Sequence, residues 1–145
     1  MDEEILLKEQ LTKEMIDVGG RLVDQLVQDG MPIYVAMWFF TPETNKWWLL
    51  ISTPLDDTDD PYDARQRINN AKRALGREAE ELLYMAVGIL STRDELVHAL
   101  MNDPYLPRGG KPVRLTRSAV RGRFIDDALV YRRVAHSGED ILARK

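Results

Sequence analysis

The groups in this chain able to do chemistry are two histidines, two clusters of aspartate and a basic segment near the end; its 145 residues include no cysteine. Without cysteine, disulfides and thiolate-held metals are excluded. His98 and His136 stand apart in the sequence. Nucleophilic catalysis needs a base within hydrogen-bond reach of the nucleophile and a third group to orient it, and neither histidine has a companion at such spacing. The nucleophile-elbow serine motif, the Walker phosphate loop and the dinucleotide fingerprint are absent. Gly109-Gly110-Lys111 has phosphate-loop composition, but no helix is expected after it to aim N–H groups at an anion, so it reads as a turn.

Hard cations want clustered carboxylates, which Asp56, Asp57, Asp59, Asp60 and Asp63 supply. The run lacks the glycine and the terminal glutamate of a calcium loop, and it abuts an expected helix start, where acidic residues complement the dipole. Asp126-Asp127 lies among Arg121, Arg123, Arg132 and Arg133. Paired carboxylates of this kind hold metal in phosphodiester hydrolysis. On an alternating strand, however, neighbouring aspartates point to opposite faces, which favours a turn or ion pairing. No metal site, cofactor or catalytic residue is therefore assigned.

The basic residues are the stronger signal. Net charge is −4, but residues 1–60 carry 13 acidic and 4 basic side chains, a balance of −9, whereas residues 108–145 carry 4 and 10, a balance of +6. The plainest consequence is that the basic end folds back onto the acidic one. The sharper one is an anion or nucleic-acid surface within 108–133, with Arg114, Arg117, Arg121 and Arg123 as the phosphate contacts.

These side chains must be positioned by elements that the pattern exposes. Residues 12–29 read as an amphipathic helix capped by Thr12, with Met15, Ile16, Leu22, Val23, Leu26 and Val27 on its inner stripe. Gly19-Gly20 interrupts it, through close packing on a sheet or a break. Ile33–Phe40 and Trp47–Thr53 form a hairpin across a Pro42/Asn45 turn. Pairing Phe40 with Trp47 leaves both faces apolar, so both need cover. A helix capped by Asp60 follows, with Ala64, Ile68, Ala71 and Leu75 inward and most of its cations outward. Leu82–Leu90 reads as a strand over about residues 83–89, although so short a run fits a buried helix as well. A helix beginning at Ser91–Asp94, a short strand at 113–116 and a longer one within 124–134 complete the order.

The expected fold is α+β: a mainly antiparallel sheet of about four or five strands centred on the hairpin (33–40/47–53), with helices against it. The order is α-β-β-α-β-α-β-β. Residues 1–134 form a single domain and 135–145 a C-terminal tail. With an acidic N-terminus and no apolar run approaching about 20 residues, no membrane span is expected and the location reads as cytoplasmic. The leading functional expectation is a non-catalytic interaction or accessory protein, a homo-oligomer (dimer) or one holding a protein partner. Its expected interface is Tyr34, Trp38, Phe40, Trp47 and Trp48, because large apolar faces seldom stay bare. The alternative is a nucleic-acid-associated protein, and the third reading a metal-dependent hydrolase.

Overall fold

A computed structural model describes residues 8–54, 62–103 and 111–133. In chain order the elements are α1 (Lys13–Gln28), β1 (Val35–Thr41), β2 (Lys46–Ser52), α2 (Tyr62–Leu75), α3 (Arg77–Leu82), β3 (Val87–Leu90), α4 (Glu95–Asn102), β4 (Val113–Val120) and β5 (Arg123–Arg133). The strands form one sheet in the order β3-β2-β1-β5-β4, antiparallel except where β3 runs parallel to β2. The fold is α+β, as the pattern predicts. The acidic run 56–60, Gly109-Gly110, His136 and the tail 135–145 lie outside the described residues.

The hairpin register matches the sequence reading: Phe40 faces Trp47, Trp38 faces Leu49 and Ala36 faces Ile51. Asn45 closes the turn at φ 53, a left-handed value that asparagine tolerates. Both apolar faces are covered. Ala36, Trp38, Phe40, Trp47, Leu49 and Ile51 pack with buried residues of α1, α2 and α3. Val35 and Met37 pack on the opposite face with Val97, Leu100 and Met101 of α4. The hairpin is therefore sandwiched, and burial of its large side chains contributes roughly 2–3 kcal/mol each.

Helix α1 starts at Thr12, whose hydroxyl accepts from the Met15 N–H at 3.1 Å. Its glycine pair does not break it. Gly19 and Gly20 lie against Trp38 and Tyr131, and the missing side chains let the helix seat directly on the sheet. Val27, expected inward, is 37% exposed because the stripe turns toward Val18, Gly19, Leu22, Val23 and Leu26.

Three boundaries differ from the sequence reading. The 82–90 run divides: α3 ends at Leu82, a turn follows, and the strand occupies only Val87–Leu90. The next helix is capped by Asp94, which accepts from the Leu96 N–H at 2.8 Å, while Ser91 serves the preceding turn. Finally, the expected short strand at 113–116 runs on to Val120 and pairs with β5 across a two-residue turn. Arg121 and Gly122 both take positive φ, 48 and 85, the geometry that matches the twist of a hairpin.

Candidate functional site

Asp127 is the one charged residue among the described residues whose burial is nearly complete, at 3% exposure. A buried carboxylate is costly unless paired and hydrogen-bonded. Arg114, on the neighbouring strand β4 and diagonal to Asp127, supplies a fork: Nε to Oδ1 at 2.6 Å and a terminal nitrogen to Oδ2 at 2.9 Å. Lys8, in the segment leading into α1, adds a third bond to Oδ2 at 2.5 Å and lies 3.6 Å from Asp126. Burial alone would raise the Asp127 pKa, but the hydrogen bonds and charges of Arg114 and Lys8 outweigh it and hold the group below the usual carboxylate range.

The same cations lie over aromatic rings. The Lys8 ammonium is 4.7 Å from the Phe40 ring centre, and the Arg114 guanidinium is 5.6 Å from that of Trp47. Trp47 in turn donates its indole N–H to the Glu9 carbonyl at 2.8 Å. The cluster thus fastens the 8–12 segment across β1, β2 and β5. It is an anchor, because every strong group in it already has a partner. The cluster joins the acid-rich end of the chain to the basic end, the cation Lys8 coming from the former and the carboxylate Asp127 from the latter.

The four arginines expected to share one surface are not brought together. Arg114 is held by Asp127, and Arg123 pairs with Glu95 of α4 at 2.7 Å. Arg121 reaches from its turn to the Asn102 carbonyl at 3.5 Å. Arg117 sits at φ 45, where both strands of the β4–β5 ribbon skip a pairing. A shallow cleft of about 370 Å³ gathers Arg93, His98, Arg121 and Arg123 around Glu95. Phe124, 66% exposed, pairs with Ala119, one step along the ribbon from Arg123, and therefore points to the other face. Stacking and phosphate contact, which single-strand binders combine, are here separated. Asp126 and Asp127 both meet Lys8, which is ion pairing, and no group of three metal-ligating side chains occurs among the described residues.

The expected interface is likewise redistributed. Trp38, Phe40 and Trp47 are 1–4% exposed and belong to the core under α1, so they are withdrawn as interface residues. Tyr34 and Trp48 remain half-buried, with the Lys46 ammonium 4.2 Å from the Trp48 ring centre.

What the sequence did not reveal lies at the other end of the sheet. Among the described residues, strand β3 pairs only with β2, so none of them occupies its second edge. The Leu49 N–H donates to the Ala86 carbonyl at 2.7 Å, and the register joins Leu49 to Val87 and Ile51 to Ile89. In a parallel ladder this assigns Ala86, Gly88 and Leu90 to β2 and turns the backbone N–H and C=O of Val87 and Ile89 outward. Beside that edge runs a groove of about 150 Å³, lined by Arg65, Ile68, Asn69 and Lys72 of α2 and by Met85, Val87 and Ile89. Just before β3, Tyr84 and Met85 are 74% and 64% exposed, and Met85 sits at φ 55, a strained value for an unbranched apolar residue. The spacing of Arg65, Ile68, Asn69 and Lys72 is the one signal that would have placed these side chains on one helix face. A wider cleft of about 580 Å³ between α1 and β5 is lined by Asp17, Arg21, Asp24 and Arg132, whose charges balance.

No protein-family model matches the chain, and no curated protein or solved structure is found to be similar to it. Among the described residues, no helix is long and apolar enough to cross a membrane.

Proposed function

We propose that this chain is a non-catalytic interaction protein that engages another polypeptide at the β3 end of its sheet. One observation carries the reading: among the described residues nothing pairs with the outward backbone donors and acceptors of Val87 and Ile89, and exposed Tyr84 and Met85 lie next to them. Edges left open template further strands, and proteins usually blunt them. The opposite edge is blunted in this way: β4 carries Arg114 and Arg117 and is irregular at Arg117. Edge β3 carries no charged side chain. Self-association and capture of a different protein both fall within this reading.

A photo-crosslinking residue at Met85 tests it in extracts of the cells that make the protein, with one at Phe124, near the opposite edge, as control. Adducts are expected from position 85, and Ile89→Pro is expected to abolish them. That substitution removes an outward N–H that the protein's own sheet does not use. Equal adducts from both positions, or none from either, would sink the proposal.

A further inference from the structure

The groove beside β3 carries more than an open edge, and its lining indicates what would lie in it. Arg65, Ile68, Asn69 and Lys72 occupy one face of α2, and Val87 and Ile89 direct their side chains to the same side of the sheet. The charged side chains lining the groove are Arg65 and Lys72, both cationic, and neither makes an ion pair among the described residues. Ile68 lies between them as an apolar floor. Seven residues of helix separate the two cations by about 10 Å, a distance spanned by three or four residues of extended chain.

We infer that the occupant of this groove is an extended acidic peptide segment, added as a sixth strand beside β3. Its pattern is acidic–x–apolar–x–acidic. The two acidic side chains meet Arg65 and Lys72, the central apolar side chain rests on Ile68, and its backbone bonds to Val87 and Ile89. The inference rests on the proposed interaction function and narrows its partner. A second copy of this chain fits the groove less well. Two β3 edges paired about a twofold axis bring the two α2 helices side by side and set Arg65 and Lys72 against their own counterparts, and like charges so placed repel.

The experiment is amide hydrogen exchange followed residue by residue, without and with Ac-Glu-Thr-Val-Thr-Glu-NH2. In the free protein Val87 and Ile89 are expected to exchange fast while Gly88 and Leu90, bonded to β2, exchange slowly. With the acidic peptide, Val87 and Ile89 become protected, and Ac-Lys-Thr-Val-Thr-Lys-NH2 protects neither. Arg65→Glu with Lys72→Glu weakens acidic-peptide binding roughly tenfold, because two favourable rim pairs become unfavourable. Both α2 side chains are at the surface, so the fold survives the exchange. Equal protection by both peptides, or protection by neither, overturns the inference. So does protection of Val87 and Ile89 in the free protein, where loss on dilution identifies a second copy as the occupant. If the acidic peptide fails while adducts from Met85 persist and depend on Ile89, the partner class is wrong and the interaction function stands. If the adducts fail too, both fall.

Discussion

A Cβ at Gly19 would lie 2.5 Å from the indole nitrogen of Trp38 and 2.7 Å from the Tyr131 hydroxyl. The contact joins α1 to β1 and β5 at once. The Trp38 N–H donates to the Met15 carbonyl at 3.1 Å and to the Tyr131 oxygen at 3.0 Å. Tyr131 donates onward to the Ile16 carbonyl at 2.5 Å. Between the pairs Ala36–Arg132 and Met37–Val130, Tyr131 is the extra residue of a bulge, which re-aims its ring toward the helix. Burial of its hydroxyl pushes its pKa upward, so it stays neutral and able to donate at any ordinary pH.

Gly19→Ala is therefore expected to destabilise the protein, although alanine is the better helix former by up to about 1 kcal/mol. Overpacking of this kind costs about 1–3 kcal/mol, and the partners here are a ring and a hydrogen-bonded hydroxyl that cannot yield independently. Gly20→Ala meets only a ring carbon, at 3.3 Å, and is expected to be much milder. Denaturant unfolding of both variants checks the contrast; equal effects would mean that the helix does not seat on Trp38.

Removing the Tyr131 hydroxyl by Tyr131→Phe takes the side-chain donor from the Ile16 carbonyl and one of two acceptors from the Trp38 indole, which keeps its bond to Met15. The expected loss is about 1–2 kcal/mol in the same unfolding measurement. A neutral result would show that water replaces the hydroxyl.

Asp127→Asn is expected to cost about 1–3 kcal/mol at neutral pH, toward the low end, because Lys8 and Arg114 are 42% and 45% exposed and can rehydrate. The pH dependence has a definite sign. The folded pKa of Asp127 lies below its unfolded value of about 3.9, so its contribution is fully present above that value and fades as pH falls through the folded one. Stability curves of wild type and Asp127→Asn should run parallel from roughly pH 5 upward and converge in the acid range. Parallel curves throughout would exclude Asp127 as the titrating group.

Arg114 and Arg123 are engaged by Asp127 and Glu95, so replacing either with alanine should alter stability more than any affinity for mixed DNA or RNA. Measured at two salt concentrations, binding should be weak and the wild-type salt slope should exceed that of Arg114→Ala by less than about 1. A slope reduced by a full unit would restore Arg114 as a phosphate contact.

The sequence by itself determined what depends on neighbours along the chain. Thr12 as a cap, Asn45 in a left-handed turn, the Phe40–Trp47 register and the demand that both hairpin faces be covered all follow from local conformational preference and the period of two. The Leu82–Leu90 run was ambiguous because helix and strand bury a short apolar segment equally well, and only packing divides it between α3, a turn and β3. The Arg121-Gly122 turn is not legible in the sequence, because arginine is a rare residue at a left-handed turn position that Asn-Gly more often marks. Tertiary structure alone decided the strand order, and with it the features that bear most on function. Inserting β5 between β1 and β4 brings Asp127 to Lys8, 119 residues away in sequence, and the seating of α1 on the hairpin face buries three of the five aromatic residues expected at a surface. Placing β3 outermost opens an edge at Val87 and Ile89. Such relationships are settled by the burial of whole faces between distant segments, a free energy that no local window of residues contains.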